Sequence, residues 1–150
     1  MPDQDPYELA LKALASKERT EAELAQWLRE RGVESALAAE AVARLIEEGA
    51  IDDDRFSQRY AEDKRELAGW GPKRIREALR VRGAPEQAIE AAVDVESADD
   101  VLNRAIGVLQ RDGFDAGDDE GRKRALALLA RRGFPLETAY DAVRALERNG

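Results

Sequence analysis

Basic side chains are the residues of this sequence whose type and spacing most clearly suggest a chemical role. Between positions 64 and 82, seven Lys and Arg residues stand against two Glu residues, a local net charge of +5. Ammonium and guanidinium groups bind phosphates and carboxylates through charge-assisted hydrogen bonds. The segment therefore predicts a surface for an anionic partner, either a phosphate backbone or an acidic protein surface. Its basic residues are Lys64, Arg65, Lys73, Arg74, Arg76, Arg80 and Arg82.

A second basic group lies between positions 122 and 132 and also has a local charge of +5. At about 100° per helical residue, Arg124 and Arg131 share one helix face. The same geometry aligns three cations of the first group on one stripe: Lys73, Arg76 and Arg80. The alternative is a solvated surface with i,i+4 partners such as Lys73 and Glu77. The members of the second group are Arg122, Lys123, Arg124, Arg131 and Arg132.

The aromatic residues divide into core candidates and one residue in a loop. Trp70 stands in the tight sequence Gly-Trp-Gly-Pro at 69–72, directly before the first basic helix. It is predicted either to be a structural wedge or to stack on a base or a partner surface. Trp27 is expected to be half-buried beside Leu28. The spacing of the others predicts packing in the core: Phe56, Tyr60, Phe114, Phe134 and Tyr140.

Other chemistry is restricted because the sequence contains no Cys and no His. This excludes disulfides, Cys/His zinc sites, cysteine nucleophiles and catalytic triads with an imidazole base. An all-carboxylate site is the remaining catalytic route. The acidic run 52–54 lacks the spacing of a calcium loop and is predicted to cap the following helix. We expect a binding protein that is not an enzyme and has no cofactor or metal.

The net charge of −8 argues against a general DNA-binding protein. It is unevenly spread, with −5 over residues 1–49, −2 over 50–96 and −1 over 97–150. The acidic N-terminus does not resemble a secretory signal. The longest apolar run, at 125–130, has six residues, whereas a membrane span needs about 20. We expect a cytoplasmic protein without a membrane segment.

The elements that position the basic residues follow from an internal repeat. Gly32, Gly83 and Gly133 are spaced by 51 and 50 residues, and each follows an arginine and stands four residues after a leucine. Ala-Val follows nine and ten residues after each glycine. Ala- and Leu-rich composition favours helices, and repeats at this period indicate a modular array. The predicted fold is all-α: three tandem three-helix modules at 1–49, 50–96 and 97–150, elongated, with the curvature left open.

Within each module, an additional helix precedes a helix–turn–helix pair. These additional helices are predicted at 7–15, 53–67 and 98–110, and the pairs at 24–42, 75–93 and 125–143. The glycine of each pair is expected to adopt a left-handed turn after the central helix. Thr20 to Glu23 has the pattern of a capping box. A mobile loop is predicted at 113–119.

Two stretches of the middle module resemble the RecX family of bacterial regulatory proteins. They are residues 47–56 (EEGAIDDDRF) and residues 69–83 (GWGPKRIREALRVRG). The first module at 19–24 (RTEAEL) and the third at 131–134 (RRGF) are similar in kind. The resemblance extends over nearly the whole chain, including the triple repeat. It departs at 24–28, where LAQWL replaces the basic helix centre of many relatives.

The resemblance implies a modulator of the RecA recombinase, and we expect the chain to be a monomer. Such proteins bind the RecA–DNA filament along its groove, inhibit ATP hydrolysis and strand exchange, and limit filament growth. It leaves weak direct DNA binding open. Carried over by position, the implied contacts are Lys73, Arg74, Arg76, Arg80 and Arg82, with Arg124, Arg131 and Arg132 as weaker candidates. The candidate RecA or DNA contacts predicted from the basic groups and the loop tryptophan also include Lys64, Arg65, Trp70 and Lys123.

Two other functions remain open at this point. A helix-turn-helix DNA-binding regulator acting without RecA would read bases from the first turn of a basic helix, here Lys73-Arg74. An unrelated helical scaffold would depend on neither DNA nor RecA.

Overall fold

The computed structural model describes residues 5–114 and 117–149, and within these ranges it forms nine α-helices and no β-strand. This confirms the all-α prediction. The helices are α1 (Pro6–Ser16), α2 (Glu21–Glu30), α3 (Ser35–Glu47), α4 (Asp53–Ala68), α5 (Pro72–Val81), α6 (Glu86–Val93), α7 (Ala98–Arg111), α8 (Asp119–Arg132) and α9 (Leu136–Asn149).

Local sequence signals fix several helix starts. Thr20 accepts a hydrogen bond from Glu23 N–H at 3.1 Å, and the Glu23 side chain accepts one from Thr20 N–H, which confirms the capping box. The Asp52 carboxylate accepts hydrogen bonds from two N–H groups of the first turn of α4, at 2.9 and 3.1 Å. The acidic run therefore begins with a helix cap, as predicted. Such caps typically contribute about 1 kcal/mol.

The three repeat glycines have the same backbone conformation. Gly32, Gly83 and Gly133 have φ angles of +87°, +86° and +91° directly after α2, α5 and α8. This left-handed region is open to glycine without a steric cost from Cβ. The predicted helix–turn–helix repeat is therefore present in the structure, and α2, α5 and α8 are its central helices.

Helix packing takes place mainly within sets of three successive helices. α3 packs on α1 and α2, α6 on α4 and α5, and α9 on α7 and α8. The buried apolar residues form three clusters, at 10–51, 56–93 and 101–143. Ile51 is 3% exposed and packs with the first cluster, so we propose a module boundary after Ile51 instead of after residue 49.

Most of the aromatic predictions agree with the packing. Phe56 and Phe134 are buried, and Tyr60 and Phe114 are half-buried against the core clusters. Trp27 is half-buried, as expected. The prediction for Tyr140 is wrong because its side chain lies on the solvent side of α9 and is 44% exposed.

The predicted mobile loop at 113–119 lies between α7 and α8, and its residues 115–116 are outside the described part of the chain. Within the described ranges, no helix is long and apolar enough to cross a membrane. No group of three or more acidic side chains in these ranges is placed to hold a metal ion.

Candidate binding surface

The first and second modules meet where the N-terminal end of α2 contacts the C-terminal end of α5. We call this contact junction 1–2. The Thr20 hydroxyl donates a hydrogen bond to the Arg82 carbonyl oxygen at 2.6 Å. The Arg82 guanidinium binds both carboxylate oxygens of Glu23, at 2.5 and 3.0 Å. Arg82 is only 29% exposed and is paired in this way. Its charge therefore stabilises the junction and is not a contact for a partner.

The pKa values of two carboxyl groups at junction 1–2 are shifted in opposite directions. Partial burial would raise the pKa of Glu23, but hydrogen bonds from the Arg82 side chain and Thr20 N–H outweigh burial and lower that pKa. Burial raises the pKa of Asp53, although Asp53 Oδ1 accepts a hydrogen bond from Glu21 N–H at 2.9 Å. The folded protein therefore stabilises the ionised form of Glu23 and makes the ionised form of Asp53 less favourable than in the unfolded chain.

The second and third modules meet in the same relative arrangement, with the N-terminal end of α5 against the C-terminal end of α8. We call this contact junction 2–3. Gly71 N–H donates to the Arg132 carbonyl at 2.6 Å, and Lys73 N–H donates to the Gly133 carbonyl at 3.0 Å. The backbones approach so closely that a Cβ on Gly133 would lie 2.3 Å from Arg74 Cβ. The carbonyls of α8 thus cap α5, whose N-cap Gly71 has no side chain for the purpose.

An ionic triad fixes junction 2–3 from one side. Glu96, in the linker between α6 and α7, lies between Arg65 of α4 and Arg104 of α7, at 3.2 and 2.7 Å. Glu96 is 11% exposed and Arg65 is 13% exposed. Arg65 also donates to the Ala92 carbonyl, and Arg104 donates to the Trp70 carbonyl. Arg65 therefore stabilises the packing of the helices and, contrary to the prediction, is not a contact for a partner.

Three further predicted contacts are already paired within the chain. Arg76 binds Asp94, and Arg80 binds Glu86 through two nitrogens. The hydrogen bond with Glu86 raises the pKa of Arg80 and, in return, lowers the pKa of Glu86. Arg132 lies 3.6 Å from Asp112 and donates to the Ala68 carbonyl. Of the predicted stripe of Lys73, Arg76 and Arg80, only Lys73 has no carboxylate partner in the part of the chain that the structure describes.

Trp70 is half-buried and is flanked by cations. Its ring packs against the core of the second module and meets Tyr60 edge-on, with ring centroids 6.4 Å apart. The Arg74 guanidinium lies 4.0 Å and the Lys64 ammonium 4.8 Å from its ring centroid. The tryptophan thus positions two of the predicted cations through cation–π contacts.

The remaining predicted cations make no ion pair within the described residues. Arg74 and Arg131 adjoin at junction 2–3, where Arg74 Nη1 donates to the Arg131 carbonyl at 3.3 Å. Lys73 is next to them through its backbone bond to α8. Lys123 and Arg124 are exposed on the first half of α8. We define the junction cations as Lys73, Arg74 and Arg131, and the α8 cations as Lys123 and Arg124.

Sequence reasoning missed the residues that determine which cations are free. No sequence pattern indicated that Glu96 and Arg104 form an ion pair, because a single carboxylate in a short linker does not show which cations it contacts. It also missed a groove of about 390 Å³ beside junction 1–2, lined in part by Arg19, Trp27 and Val81. Val81 is 87% exposed there. The only sequence feature that could have indicated a place for Val81 beside the contact between modules is its position next to Arg82 in the repeat.

Family models of three-helix domains match segments in the first two modules. Residues 7–45 match the model of the first three-helix domain of RecX, and residues 52–93 match that of the second. A "Regulatory protein RecX" of Stenotrophomonas maltophilia (strain K279a) is 37% identical, covering 95% of this chain and 87% of the relative. One from Mycobacterium sp. (strain KMS) is 31% identical, covering 95% and 85%.

The fold is also similar to experimentally determined structures. The crystal structure of RecX from Lactobacillus salivarius superimposes with a TM-score of 0.83 at 20% identity, covering 95% of this chain and 94% of that one. A second crystal structure of regulatory protein RecX gives a TM-score of 0.77, covering 93% of this chain and 70% of the other.

Proposed function

The chain belongs to the RecX family of regulatory proteins, and we propose that it regulates the RecA recombinase by binding the RecA–DNA filament. Bound along the filament groove, it would inhibit ATP hydrolysis and strand exchange and limit filament growth. This role belongs to DNA repair, recombination and the SOS response in the bacterial cytoplasm. It requires binding and no catalytic step by this chain.

The observation that carries the proposal is the selective exposure of positive charge at junction 2–3. Six of the twelve cations in the two basic groups form ion pairs with carboxylates of the chain itself, whereas the junction cations form none among the described residues. Unpaired guanidinium and ammonium groups at a fixed site favour an anionic partner. Such a partner can bind them without first breaking an ion pair within the chain. The site is rigidly placed, since it is formed by the backbone contact between α5 and α8.

The serial arrangement of modules supports a partner with repeated subunits. Among the described residues, hydrogen bonds and ion pairs join the first module to the second and the second to the third, and none joins the first to the third. Three modules in series can contact several filament protomers at once. Individually weak contacts then combine through effective concentration, and a bridge between protomers would hinder the rearrangement that accompanies ATP hydrolysis.

Adding the protein to preformed RecA filaments on single-stranded DNA and following ATP hydrolysis tests this function. Wild-type protein is expected to lower the hydrolysis rate and to co-sediment with the filament. The double variant K73E/R131E should need at least about tenfold more protein for the same inhibition, since it loses two charge-assisted contacts of roughly 1 kcal/mol or more each.

A matched control has the same charge change far from the junction cations. The variant K12E/R148E reverses two exposed cations on α1 and α9 and should inhibit like the wild type. If both variants lost inhibition of ATP hydrolysis equally, the change in net charge alone would explain the effect. No inhibition and no co-sedimentation by the wild-type protein would exclude the proposed function.

The same cations support a second candidate, direct binding to DNA without RecA. Its signature is salt dependence: for single strands the logarithm of the binding constant falls by about 0.7 per log unit of salt for each phosphate contacted. Fluorescence anisotropy of a labelled oligonucleotide over a salt series measures this slope. Tight, steeply salt-dependent binding without RecA would favour this candidate, and the acidic surface of the first module argues for weak binding.

A further inference from the structure

The groove beside junction 1–2 has an apolar wall on each of the two modules that form it. Ala22 and Trp27 of α2 line one side, and Val81 of α5 lines the other. Its volume of about 390 Å³ is within the range of clefts that bind ligands, about 300–1,000 Å³. Val81 is 87% exposed, so its side chain is open to a molecule that enters the groove.

Val81 departs from the pattern of the repeat. It stands two residues before the left-handed Gly83, and the equivalent residues of the first and third repeats are Glu30 and Arg131. Its side chain belongs to none of the three apolar clusters of the described residues. The packing of the chain therefore gives no reason for a valine at this position. Covering it with a partner would remove apolar surface from water, which favours binding.

Three cations surround the aromatic wall of the groove. The guanidinium carbon of Arg31 lies 3.6 Å from the Trp27 ring centroid, and that of Arg19 lies 5.5 Å from it. Lys17 also lines the groove. In the part of the chain that the structure describes, none of the three forms an ion pair. Arg19 is also held by the Ala13 carbonyl, so its guanidinium loses little conformational freedom when it binds an anion.

Two carboxylates of the groove limit the kind of anion that fits. Glu23 is already paired with Arg82. Glu30 lies one helical turn beyond Trp27, and its carboxylate accepts a hydrogen bond from Gln26 Nε2 at 3.1 Å. A nucleic acid has a phosphate at every nucleotide, and these carboxylates and the acidic first module would repel it. A single carboxylate beside an apolar side chain avoids most of this repulsion and matches both features of the groove.

The groove occupies repeat positions that correspond to the junction cations. Counted from the left-handed glycines, Glu23 and Val81 of junction 1–2 correspond to Arg74 and Arg131 of junction 2–3. The chain thus has two equivalent sites between modules with different chemistry. The site at junction 2–3 is cationic, whereas the site at junction 1–2 is apolar with cations at its edge. A partner composed of both protein and nucleic acid can supply a suitable group to each.

We propose that the groove beside junction 1–2 binds a segment of the RecA polypeptide that carries a large apolar side chain next to a carboxylate. The apolar side chain lies between Trp27 and Val81, and the carboxylate is bound by Lys17 and Arg19. The assignment rests on the proposed function, because it gives this surface to the protein component of the filament. Trp and Arg are the residues that most often dominate the free energy of binding at protein interfaces.

Photochemical cross-linking identifies the occupant of the groove. Because the sequence contains no Cys, Val81→Cys creates a single site for a benzophenone maleimide. The labelled protein is bound to RecA filaments on single-stranded DNA, irradiated and analysed by mass spectrometry. We expect a cross-link to a RecA segment in which an apolar residue adjoins Asp or Glu.

Leu136→Cys is the matched control, since Leu136 is an apolar residue of α9 that is 65% exposed. From this position the same RecA segment should not be labelled. A cross-link from position 81 to the DNA strand would overturn the proposal, as would equal labelling of one segment from both positions. The absence of any cross-link from position 81, on filaments that retain the labelled protein, would also exclude it.

Val81→Gln measures what the apolar contact contributes. Glutamine favours a helix more than valine does, so the free energy of unfolding should be unchanged or slightly higher. The variant should nevertheless need about fivefold more protein to inhibit ATP hydrolysis by half, whereas Leu136→Gln should inhibit like the wild type. Both variants and the wild type should bind free single-stranded DNA equally, because DNA does not occupy the groove.

Failure of this proposal is distinguishable from failure of the proposed function. If the wild-type protein neither inhibits ATP hydrolysis nor co-sediments with the filament, the regulatory function itself is excluded. If the wild type inhibits and Val81→Gln inhibits equally well, the function stands and the groove is excluded as a contact. Weaker binding of Val81→Gln to free single-stranded DNA would assign the groove to DNA and overturn the proposal.

Discussion

Junctions 1–2 and 2–3 bring equivalent helix ends together by different means. Junction 1–2 relies on side chains: the buried Thr20 hydroxyl, and the ion pair of Arg82 and Glu23, whose side chains are 29% and 27% exposed. Junction 2–3 relies on direct backbone contact between α5 and α8. The difference shows that a repeat can keep its geometry while the groups that make the contact change.

The difference in chemistry also decides where positive charge is free. At junction 1–2, Arg82 is used by Glu23 of the neighbouring module. At junction 2–3, Arg74 stands at the repeat position of Glu23, nine residues before the left-handed glycine, and neither Arg74 nor Arg131 has a carboxylate partner among the described residues. The second junction therefore has an unpaired cation at the position where the first junction has the carboxylate of its ion pair.

Replacing the repeat glycines by alanine should give the largest effects and rank the three helix ends. Gly133→Ala combines a left-handed residue with a Cβ 2.3 Å from Arg74 Cβ, and we expect a loss of about 3 kcal/mol in the free energy of unfolding. Gly83→Ala should cost about 2 kcal/mol, because its neighbour is a side-chain methyl that can move. Urea unfolding measures both.

Gly32→Ala is the matched control, with the same φ region and open space around it. It should cost only about 1 kcal/mol, the backbone contribution alone. Equal losses at all three glycines would mean that backbone contact does not distinguish junction 2–3 from the other helix ends.

Replacing Glu96 should weaken junction 2–3 by about 2–3 kcal/mol, because two largely buried guanidinium groups would lose their shared carboxylate. Glu96→Gln keeps the shape of the side chain and removes the charge, and thermal unfolding measures the change. The counterpart Glu23→Gln at the more exposed junction 1–2 should cost about 1 kcal/mol. A larger loss at Glu23 than at Glu96 would reverse the expected order of the two junctions.

The contribution of Glu23 should also depend on pH in a direction set by its lowered pKa. The stabilisation is present above the ordinary Glu pKa of about 4.3 and is lost as pH falls through the lower pKa of the folded state. The unfolding free energies of the wild type and Glu23→Gln should therefore differ at pH 7 and converge in acid. A difference that stays constant from neutral to acidic pH would show that the Arg82 pair does not cause the loss.

The smallest effect is expected from the outer ion pair of junction 1–2. Arg59 Nη1 lies 3.2 Å from Glu18 Oε1, and the two side chains are 62% and 57% exposed. Such pairs typically contribute between zero and 1 kcal/mol, so Arg59→Ala should change the unfolding free energy by less than about 0.5 kcal/mol. A larger loss would mean that junction 1–2 depends on its rim and not on Thr20, Glu23 and Arg82.

Features encoded by neighbouring residues were predictable from the sequence. The positions of Gly32, Gly83 and Gly133 defined the repeat, and Thr20 and Asp52 marked helix starts, because each acts within a few residues of itself. Pairing across modules was not predictable. Arg82 and Glu23 are 59 residues apart, and nothing in either local sequence indicates the other.

The same limit explains the site predictions. The segment 64–82 was interpreted as a free basic surface because local charge can be counted, but Arg65, Arg76, Arg80 and Arg82 are paired by distant carboxylates. The identity of the unpaired cations depends on the tertiary structure. Lys73, Arg74 and Arg131 became a distinct group only once α5 and α8 were seen in contact.

The backbone contact between α5 and α8 has an electrostatic consequence for the whole chain. A helix has about half a positive charge at its N-terminus and half a negative charge at its C-terminus. Where Gly71 and Lys73 N–H groups meet the carbonyls of Arg132 and Gly133, these partial charges cancel. Helices α5 and α8 therefore act as one longer dipole, positive at the N-terminal end of α8 and negative at the C-terminal end of α5, instead of as two separate dipoles.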